Sequence, residues 1–215
     1  MYKIIKSFKQ YFLSFVYVSM GTFLAFLLVF ILAPRDVYAF AGGDGTQLDP
    51  YQITSCTELQ DMMSSLSSHY ILNSHIDCSD TVNWNSGAGF EPVGNGFIIS
   101  TSFSGSFNGN GKVISNLYIN RPATNLVGMF GITYGGNIYD VGMENVTITG
   151  AQYTGGLIGH LFYNSSATQR GTLQRVYTTG TVTGTTRVGG IVGEQSLGDV
   201  VNSYSRANVT GTSGS

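Results

Sequence analysis

A five-residue phrase recurs three times in this chain: Val127–Gly131 (VGMFG), Gly155–Gly159 (GGLIG) and Gly189–Gly193 (GGIVG). Each copy leads into a second shared piece, Asn137–Val141 (NIYDV), Thr172–Tyr177 (TLQRVY) and Asp199–Tyr204 (DVVNSY). Each then closes on a Val/Thr/Gly phrase at Val146–Gly150, Thr181–Gly184 and Val209–Gly211. The last glycine of the opening phrase advances by 28 and then 34 residues, and the closing glycine by 34 and then 27. The base period is therefore 27 or 28, and the middle copy carries a longer loop from Phe162 to Arg170. Self-similarity at such a period marks a repeat architecture, in which one unit cannot bury its apolar face without a neighbour.

Each unit holds three short runs rich in Val, Ile, Thr and Tyr, separated by Gly, Asn or Thr, which reads as strands and turns. A helix is excluded because a glycine every few residues would cost about 1 kcal/mol each time. One unit then makes one coil of a right-handed parallel β-helix, with coils about 4.8 Å apart. Leu157, Ile158, Val176, Ile191, Val192 and Val200 are expected to alternate between interior and outer face. The competing architecture is an antiparallel sandwich with glycine-rich turns, to which a 27-residue period is foreign.

Residues 1–41 read as an export segment. Lys3, Lys6 and Lys9 form a basic start, Tyr11–Ala33 is apolar and uncharged, and Val37–Ala39 and Ala39–Ala41 offer small-residue cleavage patterns. The apolar run is also long enough to span a bilayer, so an uncleaved anchor is the alternative. Either way the lysines stay inside and the remainder is exported. Residues 42–215 carry six basic against eleven acidic side chains, a net of about −5 (6 − 11). Without a basic patch a nucleic-acid partner is not expected. Two cysteines in an exported chain, Cys56 and Cys78, favour a disulfide over a metal site or reactive thiol. The bond closes a loop of about 22 residues and contributes about 3 kcal/mol.

Upstream of the repeats, Pro50–Ile53 reads as a strand. Ser55 and Glu58 form a capping box for a helix from Thr57 to Ser67, with Leu59, Met62, Met63 and Leu66 on its apolar face. This helix is expected to cap the first coil and hide its strand edges. Tyr70–Asp77, Phe90–Gly94, Phe103–Phe107 and Val113–Ile119 follow as strands, with a turn at Asn108–Gly111 and a loop at Ser79–Gly89. The expected organisation is an export segment or anchor at 1–41, a cap with first coils at 42–124, and repeat coils at 125–215. The chain stops just past a closing phrase without a cap, so a longer protein is expected.

The three phrases resemble the GLUG repeat, named for its Gly-Leu-any-Gly core. Gly156-Leu157-Ile158-Gly159 fits that core outright, and Gly190–Gly193 and Gly128–Gly131 fit with conservative changes at leucine. The upstream part resembles the leader found before such repeats in bacterial surface proteins: Gly45-Thr46, Asp49–Ile53, Glu58-Leu59, Tyr70–Leu72, Ile76-Asp77, Phe103–Gly109 and Ile114–Leu117. The resemblance covers residues 43–211. It implies an exported, adhesin-type β-helix, and such repeats also occur beside zinc peptidase domains that cleave immunoglobulin A. It supplies no catalytic residues, and no His-Glu-x-x-His stands in this chain.

Little else points to chemistry. His69, His75 and His160 read as surface or strand-end histidines. Asp140 and Glu144 are the nearest acidic pair beside the repeats. Asp140 occupies the position of Arg175 and Asn202 in the other copies and reads as a solvated turn residue. Asp44, Asp49, Asp77 and Asp80 match no calcium-loop pattern, and Asp77 and Asp80 suit turns. No catalytic residue, metal or cofactor is therefore assigned. The candidate ligand surface is Thr147, Thr149, Thr181 and Thr183 with Tyr153 and Tyr163. Thr147–Thr149, Thr181–Thr183 and Thr210–Thr212 are expected to lie close together, and Tyr177 and Tyr204 offer further apolar faces with polar tips. The expected function is a non-enzymatic extracellular adhesion module that binds a glycan or protein ligand, touching a membrane only through an uncleaved N-terminal segment. A carbohydrate-active enzyme, a non-catalytic module of a secreted peptidase and an ice-binding surface are the alternatives.

Overall fold

Among the described residues every pairing between strands is parallel, and each repeat copy places its strands beside those of the copy before it. A computed structural model describes residues 40–163 and 171–213. They belong to one compact unit, Tyr38–Ser215. Most of the proposed export segment and the Asn164–Gln169 part of the long loop lie outside the described residues. Among the described residues no helix is long and apolar enough to cross a membrane.

The front of the unit is irregular. Strand β1 (Tyr51–Ile53) precedes helix α1 (Cys56–Asp61). The Ser55 hydroxyl accepts the Glu58 amide, and the Glu58 carboxylate accepts the Ser55 amide, so both halves of the capping box form. The helix is shorter than the expected Thr57–Ser67 and passes into a 3-10 turn at Met62–Ser64. A serine-rich stretch explains this. The Ser64 hydroxyl bonds the Asp61 carbonyl and Ser65 bonds Ser68, competing with helical bonds. Leu59 and Met62 are fully buried. Cys56 and Cys78 form a disulfide that closes a 22-residue separation.

Strands β2 (His69–Leu72) and β3 (Ile76–Asp77) split the single strand expected at Tyr70–Asp77, because the chain turns at Asn73–His75. Short 3-10 turns fill Ser79–Gly87. Strand β4 (Ser106–Ser115) bends through Asn110 and Gly111, both at positive φ. Then follow β5 (Tyr118–Asn120), β6 (Phe130–Tyr134), β7 (Asn137–Thr149), β8 (Thr154–Gly155), β9 (Ile158–Phe162), β10 (Thr172–Gln174), β11 (Tyr177–Gly184), β12 (Val188–Gly189), β13 (Val192–Ser196), β14 (Asp199–Val201) and β15 (Tyr204–Gly211).

The largest sheet runs β1-β2-β4-β7-β10-β14, with β11 and β15 extending the far half of β7. A second sheet stacks β6-β9-β13, and a third pairs β8 with β12. The register puts one interior column through Tyr51, Tyr70, Phe107, Ile138, Leu173 and Val200. A second runs through Ile119, Ile148, Val182 and Val209. A third runs through Phe130, Ile158 and Val192. Large aromatics fill the front of the core at Tyr70, Phe90, Phe103, Phe107 and Phe130, and aliphatics take over in the repeats.

Corners between strands repeat as well. Leu126, Tyr153 and Arg187 all take positive φ (61°, 62° and 55°), as do Asp140, Arg175 and Asn202 (59°, 51° and 50°). Bulky residues rarely adopt this conformation, so stacking against neighbouring coils holds them there.

Candidate functional site

At the repeat glycines neighbouring backbones come close together. A Cβ on Gly131 would lie 2.2 Å from the Gly94 carbonyl oxygen, one on Gly159 2.6 Å from that of Gly131, and one on Gly193 2.6 Å from that of Gly159. These residues form a column in which each coil excludes a side chain from the one before. A Cβ on Gly156 would lie 2.2 Å from the Gly190 carbonyl oxygen, one on Gly190 2.1 Å from the Ser205 hydroxyl, and one on Gly128 3.0 Å from Gly155 and Gly159 backbone atoms. These glycines set the spacing of the stack and present nothing to a ligand. The first copy is one residue short. Three residues separate Val127 from Phe130, where four separate their partners Thr154 and Ile158.

The threonine face is real but differs from the expected alignment. The rows are Tyr118–Thr147–Thr181–Asn208 and Asn120–Thr149–Thr183–Thr210. Thr210 therefore stacks on Thr183, two residues from its expected place, because Asn208 replaces the first threonine of the last copy. A continuous Thr-x-Thr array spans two coils. Thr147 and Thr181 are exposed, and Thr149 and Thr183 half-buried.

The tyrosines are mostly engaged in packing. Tyr163 is 8 % exposed and so leaves the accessible surface. Tyr177 and Tyr204 stack face to face, 5.4 Å apart, with the Arg206 guanidinium over Tyr204. The Tyr177 hydroxyl donates to Glu144 at 2.6 Å, and that bond to a carboxylate raises its pKa to about 12.

His160 corrects the expectation of surface histidines. It is 6 % exposed and stacks on Tyr153 at 5.2 Å, with the Phe97 and Phe162 ring edges against it. Its Nε2 lies 3.0 Å from the Ser196 hydroxyl. Burial lowers its pKa, opposed by Glu194 and assisted by Arg187. Arg187 itself covers the Tyr153 ring and pairs with Glu194. His75 is exposed, and its Nδ1 accepts the Val113 amide.

The acidic residues have local employment. Asp140 pairs with Arg175 through two oxygens, and the guanidinium hydrogen bond lowers the Asp140 pKa. Asp77 accepts from the Asn116 side chain and the Ser79 amide, and Asp44 from the Thr46 amide. These bonds hold both carboxyls below the usual carboxylate range. No group of three or more His, Cys, Asp or Glu suited to a metal forms among the described residues.

The feature that sequence reading missed is a groove of about 500 Å³ on the outer face of the largest sheet. Two rows of outward side chains form its floor. One is His69–Ser106–Asn137–Thr172, and the other, beginning at Ile71, continues as Asn108–Tyr139–Gln174. The entry loop adds Gln47 and Pro50. All seven polar floor residues are half-buried. His69 Nδ1 lies 2.7 Å from Ser106 Oγ. Asn137 Oδ1 accepts the Thr172 amide and Asn108 Oδ1 accepts the Asn110 amide, which fixes both side chains and leaves their NH₂ groups as donors. Among the described residues no aspartate, glutamate, lysine or arginine lines the groove. The available signal was the polar–apolar–polar pattern shared by His69–Ile71, Ser106–Asn108, Asn137–Tyr139 and Thr172–Gln174. Their outward residue types differ from coil to coil, so no repeated motif announces them.

No family model matches the chain. Halomucin of Haloquadratum walsbyi is 40% identical over 171 residues, which is 77% of this chain and 2% of halomucin. A candidate Gly-rich membrane protein of Evansella cellulosilytica is 30% identical over 134 residues, 61% of this chain and 15% of that protein. A crystal structure of a candidate immunoglobulin A1 protease from Bacteroides ovatus superposes with a TM-score of 0.59 at 26% identity. It covers 78% of this chain and 50% of that one. The chain thus spans a small part of the two sequence relatives and half of the structural one. The superposition is consistent with the all-β fold of parallel strands in this chain.

Proposed function

We propose that this chain is a non-enzymatic, extracellular surface module whose parallel stacks close into a right-handed β-helix of the GLUG-repeat type. It binds a glycan or protein ligand on the outer face of its largest sheet. One observation carries this reading. Successive coils place fixed polar side chains side by side in a concave groove, and the groove holds no carboxylate pair for acid–base hydrolysis. The names of the relatives, a halomucin, a Gly-rich membrane protein and an immunoglobulin A1 protease candidate, support a surface or secreted setting. The disulfide agrees with an oxidising compartment.

The test is binding of the purified chain to immobilised glycans and to extracellular matrix proteins, with Asn137→Ala and Gln174→Ala as groove variants. Binding that falls in both variants supports the reading. Binding unaffected by either places the ligand elsewhere.

One contact favours a carbohydrate-active enzyme as the second reading. His69 and Ser106 form a base–nucleophile pair in the groove. Among the described residues no acid bonds His69 to orient its ring, which sets it apart from a triad. A fluorophosphonate probe decides between the two: labelling at Ser106 that disappears in His69→Ala would establish the enzyme.

A further inference from the structure

Resting on the reading of the groove as a binding site, we infer that its ligand is an uncharged, linear polysaccharide laid across the strands, with one sugar face on Tyr139. Charge comes first. Of the described side chains lining the groove, none is an aspartate, glutamate, lysine or arginine, and the Nδ1 of His69 is engaged by Ser106. Among the described residues lining the groove a uronate, sulfate or phosphate meets no guanidinium or ammonium, and an ammonium-bearing ligand meets no carboxylate before Asp199, one strand beyond Thr172 in the same row.

Periodicity comes second. The floor repeats at the inter-strand spacing of about 4.8 Å over four coils, and a linear polymer of similar units meets a polar pair at three of the four steps, with His69 alone at the first. Tyr139 stands in the middle of its row, between Asn108 and Gln174 on the adjacent coils. A tyrosine ring supplies an apolar platform, and flanking amides supply donors and acceptors for ring hydroxyls. The Tyr139 hydroxyl and the Gln174 amide have no bonding partner among the described residues.

The position of the groove argues against an extended peptide. Peptides recognised by strand addition need a free sheet edge. The groove lies mid-sheet, where β2, β4, β7 and β10 are already paired on both sides.

The experiment uses the full chain and calorimetric titration with neutral hexasaccharides of β-glucan, mannan, xylan and galactan, beside oligogalacturonate of the same length. The expected result is binding of at least one neutral hexamer, weakened roughly tenfold by Tyr139→Ala as one lost stacking contact implies. Gln174→Ala, a smaller change on the same floor, should weaken it too, and Asn83→Ala, in the exposed Ser79–Gly87 segment outside the groove, should leave it unchanged. Circular dichroism confirms that each variant folds. Failure of every neutral hexamer to bind overturns the inference. Tighter binding of oligogalacturonate, still sensitive to Tyr139→Ala, overturns the neutral ligand but keeps the groove. Neutral binding indifferent to both Tyr139→Ala and Gln174→Ala overturns the groove itself.

Discussion

The coil built from β9, β10 and β11 and the coil built from β13, β14 and β15 carry the same motif, yet they differ in burial. Ile158, Leu173 and Val182 are 0 % exposed in the first. Their partners Val200 and Val209 in the second are 38 % and 45 % exposed, and Val192 is half-buried. Both coils use aliphatic residues at the same positions and pair in register. The first has a paired strand on each side and the second on one. Burial in this protein is therefore a property of neighbouring coils, as expected of a fold whose stability sums over interfaces between repeats. The buried hydroxyl of Thr178 makes the same point. It is satisfied by the Gly190 carbonyl and the Ser205 hydroxyl, both from the copy that follows.

That contrast should appear in unfolding free energies. Leu173→Ala removes a fully buried side chain and should cost about 2–5 kcal/mol, whereas Val200→Ala at the equivalent place should cost under ~1 kcal/mol. Equal losses in urea titrations would abolish the distinction. Next in size is the irregular front. Converting both Cys56 and Cys78 to Ala should cost about 2–4 kcal/mol from the opened loop. In thermal scans the front should then melt before the repeats, and a single unchanged transition would contradict this.

Glycines sharpen the comparison on a smaller scale. Gly159→Ala forces a methyl to 2.6 Å from a carbonyl oxygen, and should cost about 1–3 kcal/mol. At Gly211 in the last coil the nearest atom would be 3.9 Å away, so Gly211→Ala should leave the midpoint unchanged.

His160 adds a pH dependence in the middle coil. Burial depresses its folded pKa below the ordinary 6.5, so between those two values the unfolded chain binds more protons. Stability is full above 6.5 and falls as pH drops towards the folded value. His160→Gln should flatten this slope in the weakly acidic range, and a slope that persists would assign it to another group. The smallest effect belongs to Asp140. Its folded pKa is depressed by Arg175, so the contribution is present above the usual carboxylate range and lost as pH falls through the folded value. Both partners are substantially exposed, so Asp140→Asn should barely move the midpoint at neutral pH.

How far the sequence could be read follows from what each residue class reports. Apolar positions and glycines recur because every coil meets the same interior and the same close backbone, so the pairing of Ile138 with Leu173 and of Leu173 with Val200 was legible from the phrases. The capping box was legible because its two residues act locally. Thr210 was placed two residues out of register because Asn208 broke the Thr-x-Thr pattern. A shift of two keeps the face and changes the row. The buried state of His160 was hidden because Phe97, Tyr153 and Phe162 come from three separate segments. The groove was hidden because outward side chains vary freely where no neighbour constrains them, and its first coils, at His69 and Ser106, lie upstream of the visible repeat.

Every row of the groove depends on the stacking register, and cysteine cross-linking reads that register directly. Paired residues on adjacent parallel strands, about 4.8 Å apart, lie within disulfide reach, whereas a residue displaced by two along the strand does not. With the native Cys56–Cys78 bond intact, the Thr183→Cys/Thr210→Cys pair should oxidise to a second intramolecular disulfide, and the Thr181→Cys/Thr210→Cys pair should remain as free thiols. Cross-linking of the second pair in preference to the first would contradict the stacked register of the repeats.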